Sequence, residues 1–277
     1  MKKVITVGLL TAALALSALA QESTWKKSLV GSFNFSQTSL DNWSQGGENA
    51  INWQLSLNGS LEKDTDRINW NNTGKLVYGQ AKVGDDESRK SADEIRLESV
   101  LTYKTSLPVN PYVALAAWTQ LADGYAYEDT FKVRISQFMA PGYLTESAGI
   151  GYTHGENFTT RLGVAAKQTL SSDDYFWADD PATTDEVETL RSEIGMESVT
   201  EFSYKISETA LFTSKLGLFS NLKGLNEVDV NWDNLLTAKV ARYLDVNFNV
   251  VVLYDRDISH KRQLKQVFSL GITYTFL

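Results

Sequence analysis

Cysteine is absent from all 277 residues, so neither disulfide staples nor anchoring through a lipidated cysteine is available to this chain. Histidine is nearly absent too: His154 and His260 are the only two, too few for most His-based catalytic or metal-binding constellations. After the N-terminal segment, no apolar run approaches the ~20 residues that a helix needs to cross a bilayer, which excludes helical membrane spans. Positive charge is outnumbered, with 26 Lys and Arg against 34 Asp and Glu, and the formal net charge is -8. That balance argues against nucleic acid and other polyanions as partners. Membrane β-barrels survive all these exclusions, because their strands are only half apolar.

The N-terminal segment has the layout of a secretory signal peptide. Lys2 and Lys3 form a basic start, Val4 to Leu16 is apolar, and Ala18-Leu19-Ala20 is an A-x-A cleavage site. Cleavage is expected after residue 20, leaving a single domain over residues 21–277, and the chain is expected to leave the cytoplasm.

That domain is dominated by period-2 alternation, the signature of strands with one apolar face. In AINWQLSLNGSLE, Ile51, Trp53, Leu55, Leu57 and Leu61 fall on one face, while Asn52, Gln54, Ser56, Asn58 and Ser60 fall on the other. The pattern recurs from Glu94 to Leu107, from Val228 to Val240, from Val246 to Asp255 and from Phe268 to Phe276. These runs exceed the ~5–6 residues of an ordinary strand and approach the roughly 9–11 residues of a tilted membrane-crossing strand.

Connection lengths separate a barrel from a soluble sandwich, which has no reason to alternate them. Short turns are expected at Lys63 to Asp66, Pro108 to Pro111, His154 to Asn157, Lys205 to Glu208 and Ala241 to Tyr243. Between them lie mostly longer polar connections: Asp41 to Asn49, Gly84 to Asp93, Asp123 to Gly142, Ser171 to Leu190, Asn221 to Glu227 and Arg256 to Lys261. The reading is therefore an all-β fold, a closed antiparallel up-and-down transmembrane β-barrel with short periplasmic turns and longer outer loops, placed in the cell outer membrane. About twelve strands satisfy the connections, with ten and fourteen also compatible. Phe131 to Phe138 reads either as a strand extension or as a loop segment folded into the mouth.

Aromatics near strand ends, among them Trp25, Trp70, Tyr103, Tyr112, Trp118, Tyr152, Tyr204, Tyr243 and Tyr274, read as interfacial girdles. The terminal ITYTFL places Tyr274 and Phe276 on the apolar face, similar to the aromatic last strand by which barrel-assembly machinery recognises its clients, although Leu277 follows. Expected partners are that machinery, outer-membrane lipid and lipopolysaccharide, and a small solute whose identity stays open. If the apolar face meets lipid, Glu94, Arg96, Glu98, Lys104, Arg161, Lys167, Glu193, Glu197, Glu201, Asp229, Asp233, Lys239 and Lys265 project into the lumen, where mixed signs either pair across it or line a narrow wet path.

No metal-ligand spacing, phosphate loop or nucleophile elbow is present, so no catalytic, cofactor or metal residue is assigned and an enzyme is not expected. His260 near Asp255 and Asp257 is the one grouping reminiscent of a hydrolase, and it reads better as a solvated loop histidine. The acidic stretch Ser171 to Glu188 likewise reads as a hydrated loop, without calcium-loop spacing.

The string Trp43-Ser44-Gln45-Gly46-Gly47-Glu48-Asn49, just ahead of the Ala50 strand, together with Ser136 to Ser147 containing Pro141, resembles the DUF3078 family of Bacteroidetes-type bacteria. The resemblance implies an outer-membrane-like β-barrel of unknown function, and it supplies no catalytic or ligand residues. Trp43, Gly46, Gly47 and Asn49 are the motif residues. The glycine pair suits the positive φ angles of a tight reversal, so the string reads as an architectural loop before it reads as a ligand cradle. Trp43 either anchors at the outer interface or tucks into the mouth. A narrow channel or small-solute transporter is the function expected first; a structural or adhesive barrel binding through its outer loops comes second, and an outer-membrane hydrolase third. The barrel reading itself predicts a heat-modifiable protein: the folded chain should migrate faster than the boiled chain in a detergent gel, and equal mobility would contradict it.

Overall fold

A computed structural model of the chain describes residues 25–41, 47–128, 131–172, 177–179, 187–222, 228–256 and 261–277. The signal-peptide segment lies outside these. Among the described residues fourteen strands follow in order: β1 (Trp25–Thr38), β2 (Ala50–Asp64), β3 (Ile68–Val83), β4 (Arg89–Tyr103), β5 (Val109–Thr119), β6 (Gly124–Tyr127), β7 (Lys132–Ser136), β8 (Gly142–His154), β9 (Phe158–Leu170), β10 (Leu190–Lys205), β11 (Ala210–Asn221), β12 (Val228–Ala241), β13 (Leu244–Tyr254) and β14 (Gln263–Thr275).

Twelve of them close into one antiparallel barrel, each paired with its sequence neighbours except that β5 pairs β8 across the intervening β6–β7 hairpin. Closure is made by β1 on β14, in register from Val30↔Thr275 to Asn34↔Gly271. The Leu29 carbonyl extends it by accepting the Phe276 amide at 2.8 Å. A spanning sheet needs this closure, because hydrocarbon offers an unpaired edge no hydrogen-bond partner.

The alternation read from the sequence sorts the side chains as expected. Large apolar residues face outward all round the barrel, with Val164 58 %, Ile194 62 % and Phe268 74 % exposed. Such a continuous apolar belt has no place on a water-soluble monomer and fits contact with lipid. Two outward indoles show the same constraint at atomic level. Trp70 Nε1 donates to Ser99 Oγ and Trp232 Nε1 to Ser214 Oγ, each at 2.9 Å, so each N–H facing hydrocarbon is satisfied from the neighbouring strand. At the short-turn end, Trp25 packs on Trp70 at 5.3 Å and Tyr243 on Tyr274 at 6.1 Å, with Tyr103, Tyr152 and Tyr204 exposed around the same rim.

Several details differ from the sequence expectation. Tyr112 and Trp118 do not belong to a girdle; the parity of β5 turns both inward, and Tyr112 is only 4 % exposed. The reversal after β4 occupies Lys104 to Pro108, so Pro111 lies inside β5. There its missing N–H is tolerated because the β4 ladder ends at Thr102↔Tyr112. The expected long connection from Gly84 shrinks to residues 84–88, because a register shift at Gly79/Gln80 brings Arg89 and Lys90 into pairing with Ala81 and Gln80. The Phe131 to Phe138 segment is no barrel strand: β7 pairs only β6, as a hairpin within the β5–β8 connection.

Inside the barrel, the Tyr112 ring lies over a glycine pair, Gly149↔Gly163. A Cβ at Gly163 would sit 2.4 Å from the Ala148 carbonyl oxygen and 2.7 Å from the Tyr112 hydroxyl. Aromatic cover over strand glycines leaves no room for a larger residue. Gly163→Val should therefore cost about 1–3 kcal/mol by overpacking, read as a lower denaturant midpoint in lipid vesicles. Gly155→Asn, at φ 60° with nothing within 4 Å of where its Cβ would stand, should shift it by less than about 0.5 kcal/mol.

Candidate functional site

The lumen is crossed by ion pairs at mid-height. Glu98 of β4 is bonded by both Arg161 of β9 and Lys215 of β11, and Lys215 also meets Glu201 of β10 at 2.7 Å. Lys75 of β3 reaches Asp233 of β12 at 3.4 Å and Glu94 at 3.3 Å, and Arg96 meets the other oxygen of Glu94 at 3.4 Å. Asn249 adds a 2.6 Å hydrogen bond to Asp233. Between β4 and β11 lie four strands one way round and six the other, and the same holds for β3 and β12. The links therefore span nearly the full width of the barrel.

Glu98 and Arg161 are nearly buried, Lys75, Lys215 and Asp233 are half-buried and the Glu201 side chain is the most exposed of these, so at the buried contacts Coulomb attraction at an effective dielectric near ~20 offsets much of the desolvation each ion suffers. Removing one partner is more costly than the pair is worth, because the survivor keeps its desolvation without its counter-charge.

The bridge leaves a cavity on each side. Toward the short turns, about 640 Å³ is lined mostly by polar strand residues, including Ser32, Ser56, Asn58, Asn247 and Lys265, with Val30, Val77 and Val267 among them. Toward the long connections, about 430 Å³ is lined by a different wall: Trp118, Tyr143 and Phe219 among the barrel residues, alongside charged residues such as Lys167, Glu197 and Asp229, with Ile135 and Trp177 from above. In this outer chamber Trp118 stacks on Tyr143 at 5.2 Å and Arg96 lies over the Trp118 ring at 5.1 Å. Lys167, 8 % exposed, is held by Asp229 at 2.6 Å and by Asp255 at 3.1 Å.

The β6–β7 hairpin is pinned over this chamber. Asp93 accepts the amides of Leu121 at 2.7 Å and Ala122 at 2.9 Å, and its carboxylate pairs with Lys90 at 2.9 Å. Lys90 donates on to Gln120 Oε1 at 2.9 Å, and Ser136 donates to the same oxygen at 3.1 Å. At the outer edge Lys132 binds both oxygens of Glu87 at 2.9 Å, a contact that raises the ammonium pKa above the ordinary lysine value. Trp177 Nε1 caps the arrangement by donating to the Ile135 carbonyl at 3.1 Å.

Of the motif residues, Gly47 and Asn49 sit at the same end of the barrel. Trp43 and Gly46 lie outside the described residues. Gly47 has φ 114°, so the expected positive-φ turn is present there. Asn49 holds the loops in place, since its side-chain oxygen accepts the Leu40 amide and its carbonyl accepts the Gly84 amide, both at 2.7 Å. Asn49 thus laces two neighbouring connections together.

His154 ends β8 at the short-turn side, where its Nδ1 lies 3.3 Å from the Tyr152 hydroxyl. His260 and Asp257 lie outside the described residues. Asp255 is taken by Lys167, so the loop grouping around His260 loses one of its carboxylates to the lumen wall. Lys104 stands just beyond β4 at the short-turn rim, where it pairs with Asp64 at 2.6 Å, and Lys239 is exposed near the same rim. Sequence reading missed Lys75 and Lys215, whose inward parity was hidden because Asn72, Gly74 and Ser214 interrupt the apolar faces of β3 and β11. Among the described residues no group of three or more His, Cys, Asp or Glu is placed to hold a metal ion.

Residues 35–125 match the family described as "Protein of unknown function (DUF3078)". The matched stretch carries the Trp43 to Asn49 string, the β2–β5 wall and the bridge residues Lys75, Glu94, Arg96 and Glu98. No curated protein matches the chain significantly. Among solved structures, the translocator domain of the autotransporter NalP from Neisseria meningitidis is similar at 9 % identity and a TM-score of 0.40, covering 98 % of this chain and 95 % of that one. The COG4313 outer membrane channel from Pseudomonas putida F1 follows at 11 % identity and 0.39, covering 90 % and 94 %. The outer membrane channel DcaP of Acinetobacter baumannii is similar at 8 % and 0.32, covering 91 % and 97 %.

Glu98 holds two cations from two strands. Glu98→Ala should destabilise the barrel by about 2 kcal/mol, less than the roughly 3–5 kcal/mol for breaking a dry buried pair because the lumen is polar. The check is a denaturant titration in lipid vesicles followed by tryptophan fluorescence, where an unchanged midpoint would count against a structural role for the bridge.

Proposed function

We propose that the chain is an outer-membrane barrel that passes small solutes through a constricted lumen, with its short turns in the periplasm and its longer connections outside. One observation carries the reading: the lumen holds two cavities separated by side-chain ion pairs, rather than a solid packing of apolar side chains. A constriction of that kind can rearrange. Each pair is a contact between flexible side chains that water or a passing solute can replace, whereas a close-packed fill cannot yield without a cavity cost.

Other features fit the same placement. Tyr274 and Phe276 lie on the lipid face at the end of β14, where assembly machinery would read them. The predicted signal peptide would deliver the chain to that machinery, and lipopolysaccharide is the expected neighbour of the long connections. The proposal is for a conduit and assigns no catalytic step to any residue.

Single-channel recording in planar bilayers tests it. The wild-type barrel should give small, discrete conductance steps, and Glu98→Gln, which removes the charge that holds Arg161 and Lys215, should raise the conductance or the open fraction. Silence from both proteins at high salt, with the folded gel band retained, would sink the conduit reading.

A further inference from the structure

We infer that the outer chamber is a binding site for a small, uncharged, apolar or aromatic solute, an inference that rests on reading the barrel as a conduit and names what it admits. The wall supplies aromatic surface: Trp118 and Tyr143 stacked on each other, Phe219 on the same wall with Lys167 over its ring, and Trp177 with Ile135 closing from above. The volume of about 430 Å³ falls in the range of small-ligand pockets.

Most charge on the same wall is paired; Glu197 is the exception, its buried Oε2 having no hydrogen-bond partner among the described residues. Lys167 is held by Asp229 and Asp255, Arg161 and Lys215 are held by Glu98, and Arg96 is held by Glu94. An anionic solute would have to displace a carboxylate from one of these cations, and a cationic one would have to displace a lysine or arginine everywhere except at Glu197. An uncharged solute disturbs none of them, and it gains the ring faces and sheds its apolar hydration.

The approach to the chamber points the same way. On β7, Lys132 and Arg134 turn to Glu87 and Asp123, while Phe131, Val133 and Ile135 share the opposite face and are exposed. Ile135, the innermost of the three, also lines the chamber. One apolar row therefore runs from the outside surface to the ring faces, a track that a sugar or an ion has no use for.

The test uses the full mature chain in lipid nanodiscs and fluorine NMR of three probes: para-fluorobenzyl alcohol, para-fluorobenzoate and a fluorinated glucose, with empty nanodiscs correcting for lipid partition. Protein-dependent line broadening is expected for the alcohol, with an apparent affinity at least about tenfold above that for the benzoate, whose charge would have to be desolvated, or for the sugar. Trp118→Ala should weaken the alcohol's binding, and Ile135→Asp, an exposed hairpin change that spares the barrel, should do the same with the folded gel band intact. No protein-dependent broadening by the alcohol, or equal broadening by all three probes, overturns the inference. Its failure is distinguishable from failure of the conduit reading: conductance without alcohol binding removes the solute class alone, while binding in a silent barrel supports the site and removes the conduit.

Discussion

Closure of the sheet between β1 and β14 is the constraint from which the other features of the molecule descend. In hydrocarbon the edge amides of an open sheet would each lack a partner at a cost of several kcal/mol, so the chain must bring its first and last strands together. The direct ladder that does so is shorter than the one between β1 and β2, which runs from Trp25↔Lys63 to Thr38↔Ala50. Once it forms, every strand acquires an inside and an outside, and side-chain parity decides what each residue meets. The indole–serine hydrogen bonds of Trp70 and Trp232 follow from the same rule: a polar atom turned toward lipid must find its partner on the neighbouring strand.

Parity also puts charge where it has to be balanced. The inward faces of β3, β4, β9, β10, β11 and β12 place acids and bases at similar heights, and their long side chains can reach one another across the lumen. The result is neither a filled core nor an open pore. A polar bridge stands at mid-height, a polar chamber lies on one side, and a chamber walled by rings lies on the other. The difference between the chambers traces to a few residues. Trp118, Tyr143 and Phe219 point inward near the long connections, whereas the chamber on the short-turn side is lined by serines, threonines and asparagines together with small apolar residues such as Val30, Val77 and Val267.

Much of this was legible as pattern. Strand type, strand number, the alternation of short and long connections and most of the lumen charges follow from period 2 and from turn residues, because a barrel strand writes its two environments into alternate positions. What escaped was whatever broke the alternation. Ser99 and Ser214 look like polar interruptions until their indole partners are placed. Tyr112 and Trp118 look like girdle residues because an aromatic near a strand end carries no mark of which way it faces; only the register of β5 against β4 and β8 decides it. The site was less legible than the fold. Pairings such as Glu98 with Lys215 join positions far apart in the chain, and no local spacing announces them. Gly47 takes the positive φ expected of the glycine pair, yet the part Asn49 plays depends on Leu40 and Gly84, which only the folded loops bring near.

The near-diametric reach of the Glu98–Lys215 and Lys75–Asp233 contacts has a mechanical side. A barrel of this girth, held only by its circumference, can flatten into an ellipse at little cost to its ladder. Two spokes across the middle resist that deformation along the diameters they span. In the proposed conduit, permeation and roundness are thereby coupled: a solute that parted the spokes would also release the wall, and lateral pressure from the surrounding bilayer would then bear on how readily the path reopens.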